Sequence, residues 1–134
     1  VLHSYFTQHR DEVDLTTPTT IFETWRRMHR TLRDDYHMNP RADSDDAYQT
    51  TRMSALIANP HGIFGVTPAR DVESYPRFWA IGSGASYALG AMFSLYERGC
   101  EAAEIARAGV AAGAEFDDGS ELPIVLHEVA LAAS

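Results

Sequence analysis

Lysine is missing from this sequence altogether. All eleven basic residues are arginine, and against nineteen acidic residues they leave a formal net charge of −8. A surface of that sign repels phosphate backbones, so nucleic acid and anionic membrane are disfavoured as partners. Cysteine is nearly missing too. The single Cys100 has no internal partner, which excludes a disulfide framework and makes a reducing, cytoplasmic setting the expectation. No apolar run approaches the ~20 residues that span a bilayer, and no signal-peptide pattern opens the chain. Internal repeats and low-complexity tracts are also lacking. The first residues, Val1 to Phe6, read as the middle of a helix with nothing before it to cap it, so the chain is expected to be a C-terminal portion of a longer polypeptide.

What remains is 134 residues with 45% hydrophobic content, enough for one domain with a core, residues 1–134. Residues 1–36 form an expected helical layer. Its main helix carries the stripe Ile21, Phe22, Trp25, Met28, Leu32 and Tyr36, capped by Thr19 or Thr20, with Arg26, Arg27, Arg30 and Arg33 on a solvated face. His37 to Thr51 reads as a surface loop. Its acidic run Asp43-Ser-Asp-Asp46 lacks the glycine and distal glutamate of a calcium-binding EF-hand loop.

From residue 52 to 81 the pattern turns to strands: Met53–Ala58 and Ile63–Val66 as a hairpin around Asn59-Pro-His-Gly62, then Phe78-Trp-Ala-Ile81. A Gly82-Ser83-Gly84 turn feeds a small-residue helix ended by Gly99. A second helix, Glu101 to Ala112, completes a pair over residues 84–113. Leu122 to Val129 reads as a final strand. Runs of strands beside runs of helices predict an α+β fold with antiparallel sheet.

Little in this sequence announces chemistry. The histidines are scattered without metal-ligand spacing, so no metal or cofactor is expected. Cys100 lies between Glu97 and Glu101, neighbours that disfavour a thiolate nucleophile. Ser83 has glycines directly beside it rather than two residues away, so it is not the G-x-S-x-G nucleophile elbow. On local grounds it is a helix-capping turn residue or a side chain aimed out of a strand-to-helix corner.

The segment Ala80-Ile-Gly-Ser-Gly-Ala-Ser-Tyr-Ala88, followed by Cys100-Glu-Ala-Ala-Glu-Ile-Ala106, a turn through Ser120 and a closing strand, resembles the C-terminal half of proteasome-type subunits, particularly the bacterial HslV-like peptidases and related bacterial proteasome homologues. The resemblance runs from Met53 to Val129 and more loosely over the first 36 residues. It implies an N-terminal nucleophile hydrolase fold: an αββα sandwich of antiparallel sheets, incomplete in this chain because the N-terminal strands are missing. The activity implied is that of a threonine-type peptidase working inside a ring. Its partners would be other copies of the subunit, the missing N-terminal portion, a polypeptide substrate and an ATPase unfoldase.

In that family the hydroxyl of an N-terminal Thr is the nucleophile, its α-amine or a water is the base, and a Lys assists. Neither that nucleophile nor a Lys is in this chain, so only supporting positions carry over. Ser83 matches the serine of the family's Gly-Ser-Gly turn. The family's Asp-x-x-Ser-Gly turn, which holds the N-terminal amine, is placed on the frame Glu115 to Gly119, giving Glu115 and Asp118 its Asp and Ser positions. Thr19-Thr20-Ile21 imitates the start of a mature subunit, but the next residues, Phe22 to Arg27, have helical periodicity and bring no Gly-Asp turn. The alternative reading is a non-catalytic ring or scaffold subunit of the same fold.

Overall fold

The computed structural model describes residues 2–36 and 53–133. The acidic run Asp43 to Asp46 and the loop around it lie outside the described residues. The chain divides into two compact units, Val1–Ser74 and Tyr75–Ser134. Among the described residues the chain has four α-helices and one three-stranded sheet, the α+β class the sequence predicts, and the helices of the second unit bring no strand pair of their own.

In the first unit, helix α1 (Leu2–Gln8) leads through a short 3-10 turn at Arg10–Glu12 to the long helix α2 (Pro18–Tyr36). Thr17, not Thr19 or Thr20, caps α2: its hydroxyl accepts the Thr20 amide at 3.2 Å, while the Thr20 hydroxyl accepts the Thr17 amide at 3.0 Å. Pro18 follows as the first helical residue, where its missing N–H costs nothing. Ile21, Thr24, Trp25, Met28 and Leu32 form the buried stripe. Phe22, expected in that stripe, is exposed, because one position after Ile21 turns it about 100° around the helix. Thr24 takes its place as the buried polar member. Its hydroxyl donates to the Asp14 carbonyl at 3.0 Å and accepts the Asp14 amide at 3.2 Å, so the burial leaves nothing unsatisfied.

Strands β1 (Ala55–Asn59) and β2 (Gly62–Val66) form the expected antiparallel hairpin, closed by Pro60-His61 and in register Ala55↔Val66, Ile57↔Phe64 and Asn59↔Gly62. These pairs share one face, and Phe64 and Val66 bury it in the same core as Tyr5, Ile21, Trp25, Met28 and Leu32. The third strand, β3 (Val72–Tyr75), lies next to β2 and precedes the expected Phe78–Ile81 segment. Phe78 to Ile81 has no ladder partner among the described residues, although Phe78 and Ala80 turn inward and Trp79 and Ile81 outward, the alternation that suggested a strand.

In the second unit, α3 (Ala85–Tyr96) and α4 (Ala102–Phe116) pack as a pair. The turn between them uses Gly99 at φ +73°, as expected for a helix-ending glycine. The buried side chains of its core cluster are few: Ala88, Met92 and Ile105, flanked by Phe78, Ala80, Leu89, Leu95 and Cys100. Gly109 sits on α4 where a Cβ would meet Met92 Cγ at 2.8 Å, so the helices approach through a glycine. The expected final strand over 122–129 is not formed among the described residues. The segment has strand-like composition, but a strand exists only with a partner to accept its ladder bonds.

Candidate active site

The corner at Gly82-Ser83-Gly84, just ahead of α3, starts at Gly82, whose φ of +102° only glycine adopts comfortably. The Ala85 amide closes the turn on the Gly82 carbonyl at 3.2 Å, and Gly84 is the N-cap of α3. No side chain caps that helix, so the capping role considered for Ser83 is not the one it performs. Its hydroxyl is spent elsewhere, on a residue 34 positions along the chain.

That residue is Asp117, immediately after α4. The Asp117 amide bonds to the Gly113 carbonyl at 2.9 Å, and a turn closes with the Ser120 amide on the Asp117 carbonyl at 3.1 Å. This geometry aims the Asp117 carboxylate at the Gly82–Gly84 corner. Ser83 Oγ donates to Asp117 Oδ2 at 2.8 Å, and Ser120 Oγ donates to the same oxygen at 2.7 Å. The Ser120 hydroxyl, the Ser83 hydroxyl and, more weakly, the Gly119 backbone amide all favour the ionised form and hold the Asp117 carboxyl below the usual carboxylate range.

A carboxylate can only accept, so each serine has used its one proton on it. The lone pairs of both hydroxyls and the remaining carboxylate oxygen are left as acceptors. Such a cluster suits a ligand rich in donors and positively charged, an ammonium above all, and repels an oxyanion.

Of the three site residues expected from sequence, Ser83 is in this cluster. Glu115 and Asp118 are not: the Ser83 hydroxyl goes to neither. Asp117 and Ser120 were missed, although their spacing was visible. Asp117-Asp-Gly-Ser120 is an uninterrupted Asp-x-x-Ser, two residues beyond the frame that began at Glu115, with Glu121 where the family pattern has Gly. Among the described residues, no group of three His, Cys, Asp or Glu side chains is placed to hold a metal ion, and no helix is long and apolar enough to cross a membrane.

Comparison with solved structures gives a match to Thiobacillus denitrificans BPH, at 41% sequence identity and a TM-score of 0.79 over 91% of this chain. The two share a fold. A second structure, Thiobacillus denitrificans BPH in complex with epoxomicin, matches at 40% identity and a TM-score of 0.80 over the same 91%. The chain spans 63% of the length of each. No family model and no curated protein sequence matches.

Proposed function

We propose that this chain is part of a proteasome-like threonine peptidase subunit, and that Ser83, Asp117 and Ser120 together hold the α-amine of an N-terminal Thr supplied from outside residues 1–134. The observation that carries this reading is the acceptor-only cluster: two hydroxyls whose protons are committed to one ionised carboxylate. The similarity to a protein solved with epoxomicin, a proteasome inhibitor, supports it from a separate direction. The finer kinship, HslV-like or another bacterial proteasome homologue, rests on Ala80 to Ala88 and Cys100 to Ala106.

In this reading the Thr hydroxyl attacks the peptide carbonyl while the α-amine takes its proton. The amine becomes an ammonium at that moment, and the role of Asp117 in this reading is to stabilise the new charge. Ser83 and Ser120 accept hydrogen bonds from the amine and fix its direction, so that its lone pair meets the Thr hydroxyl rather than solvent. Other copies in a ring, an ATPase unfoldase and a cytoplasmic setting belong to the same proposal. A non-catalytic ring subunit of the same fold is the second reading.

The complete protein decides between the two readings. The peptidase reading expects a processed Thr opening a strand upstream of Val1, a Lys on a following strand, and hydrolysis of fluorogenic peptides that epoxomicin blocks. A complete protein without that Thr, or one inert toward peptides, supports the scaffold reading.

A further inference from the structure

Two glycines face the cluster, and neither is required by its backbone. Gly84 has φ −79° and ψ 3°, and Gly119 lies outside the left-handed region that favours glycine. What they provide is room. A Cβ on Gly119 would stand 2.7 Å from Ser83 Oγ and 3.3 Å from Asp117 Oδ2. A Cβ on Gly84 would stand 2.9 Å from Ser120 Oγ and 3.2 Å from the Cα of Gly113. The arrangement is reciprocal: the serine of each turn puts its hydroxyl into the space left by the glycine of the other, and both hydroxyls converge on Asp117. Gly82 is the contrast, since its φ of +102° demands glycine while a Cβ there would meet nothing within 4 Å.

We propose that Gly119 is a positioning residue, which acts by leaving the Ser83 hydroxyl the space to reach Asp117 and thereby sets the proton affinity of that carboxylate. A serine hydroxyl is the far end of a short rotor. When a methyl group is placed against it, the cheapest relief is to turn about χ1 into another staggered well. That motion leaves the backbone in place and breaks the bond to Asp117. The expected lesion of Gly119→Ala is therefore chemical before it is structural: Asp117 loses one of its two hydroxyl donors. Gly84 is the poorer probe, because its added Cβ would press on the backbone of α4 as well as on Ser120.

The inference about geometry stands without the peptidase reading; its consequence for turnover rests on that reading. The deciding experiment is a double-mutant cycle between Gly119 and Ser83. Its readout is the acid titration of the Asp117 carboxyl, followed by NMR in carboxyl-labelled aspartate and assigned with Asp117→Asn. Gly119→Ala is expected to move the Asp117 midpoint upward, toward the usual carboxylate value. In the Ser83→Ala background, where the nearest serine atom to the new methyl is Cβ at 3.8 Å, the same change is expected to move it no further.

Equal shifts in both backgrounds, or none in the presence of Ser83, would overturn the proposal. If Gly119→Ala fails to fold, refolding on addition of Ser83→Ala supports the clash with the hydroxyl, and failure in both backgrounds contradicts it. Where the complete protein hydrolyses peptides, Gly119→Ala is expected to lower kcat by up to about 10²-fold, the usual cost of displacing a positioning group by ~1 Å. A protein inert toward peptides removes the proposed function but leaves the titration result standing.

Discussion

The two units solve packing in opposite ways. The first is held by large side chains: Ile21 and Met28 are fully enclosed, with Trp25, Leu32, Phe64 and Val66 around them. The second is held by the absence of side chains, with Gly109 against Met92 and Gly113 against Gly84, and only Ala88, Met92 and Ile105 buried in its core cluster. The difference has a functional meaning. A core of interlocking side chains specifies a shape and tolerates little motion, whereas backbones brought together through glycines can set hydroxyls and a carboxylate at hydrogen-bond distance from one another. The candidate chemistry sits in the second unit, at the ends of the helices that glycine allows to approach. That unit also leaves Trp79, Ile81, Tyr87, Phe93 and Phe116 exposed, whereas the first unit places most of its large apolar groups inside.

The largest test of this contrast is in the first unit. Met28→Ala empties a fully buried site on α2 and is expected to cost about 2–5 kcal/mol in chemical denaturation, because surrounding side chains only partly collapse into the cavity. A loss below about 1 kcal/mol would show that this core is not the rigid one. Next comes the converse change in the second unit. Gly109→Val fills space rather than emptying it and is expected to cost about 1–3 kcal/mol, since the new atoms meet Met92 Cγ and Sδ. Met92→Ala in the same chain should recover part of that loss, and no recovery would place the strain elsewhere.

The units should also part company in acid. Burial, with Arg70 adding to it, holds the His29 imidazole below its ordinary value of 6.5, and neither ring nitrogen has a hydrogen-bond partner. The native state then binds fewer protons than the unfolded chain. Its stability is complete above pH 6.5 and declines as pH falls through that value toward the depressed one. Asp117 runs through a lower window. Its lowered pKa contributes stability above the ordinary 3.8 that is lost as pH falls through the folded value. Amide hydrogen exchange, corrected for intrinsic rates, should show α2 losing protection between about pH 7.5 and about pH 5.5 while the Asp117–Ser120 turn keeps its own. His29→Leu should flatten the response of α2, and an unchanged slope would assign it to another group.

The smallest effect is expected at Gly90, exposed on α3 with nothing within 4 Å of an added Cβ. Gly90→Ala should stabilise by about 0.5–1 kcal/mol through helix propensity alone and leave the site unchanged. A destabilisation would show that the face around Gly90 is closely packed in the protein's working state.

Most of the first unit was legible in the sequence, because its information is local and periodic. The stripe from Ile21 to Leu32 and the Pro60-His61 turn between alternating strands specify a helix and a hairpin without outside help. The closing strand over 122–129 was not reliable for the opposite reason. Its composition suits a strand, but strand formation depends on a partner, and composition does not supply one. The site was half legible. Gly82-Ser83-Gly84 stood out as a corner, and the acidic frame expected after the second helix includes Asp117, which the Ser83 hydroxyl bonds. Which acid faces Ser83 depended on where α4 ends, and it ends at Phe116 rather than Ala112, which carries Glu115 onto the helix and leaves Asp117 to start the turn. A few residues of error in a helix end are common in sequence reading, and here they exchanged one carboxylate for another.

The central claim is that Asp117, through two serine hydroxyls, is the carboxylate that serves the reaction. Peptide hydrolysis by the complete protein tests it most directly, comparing Asp117→Asn with Glu115→Gln and Asp118→Asn at matched folding. The account predicts that Asp117→Asn loses about 10²-fold or more in kcat, as for removal of a group that assists proton transfer, and that neither of the other two substitutions approaches that loss. Turnover that survives Asp117→Asn and collapses with Glu115→Gln would contradict it.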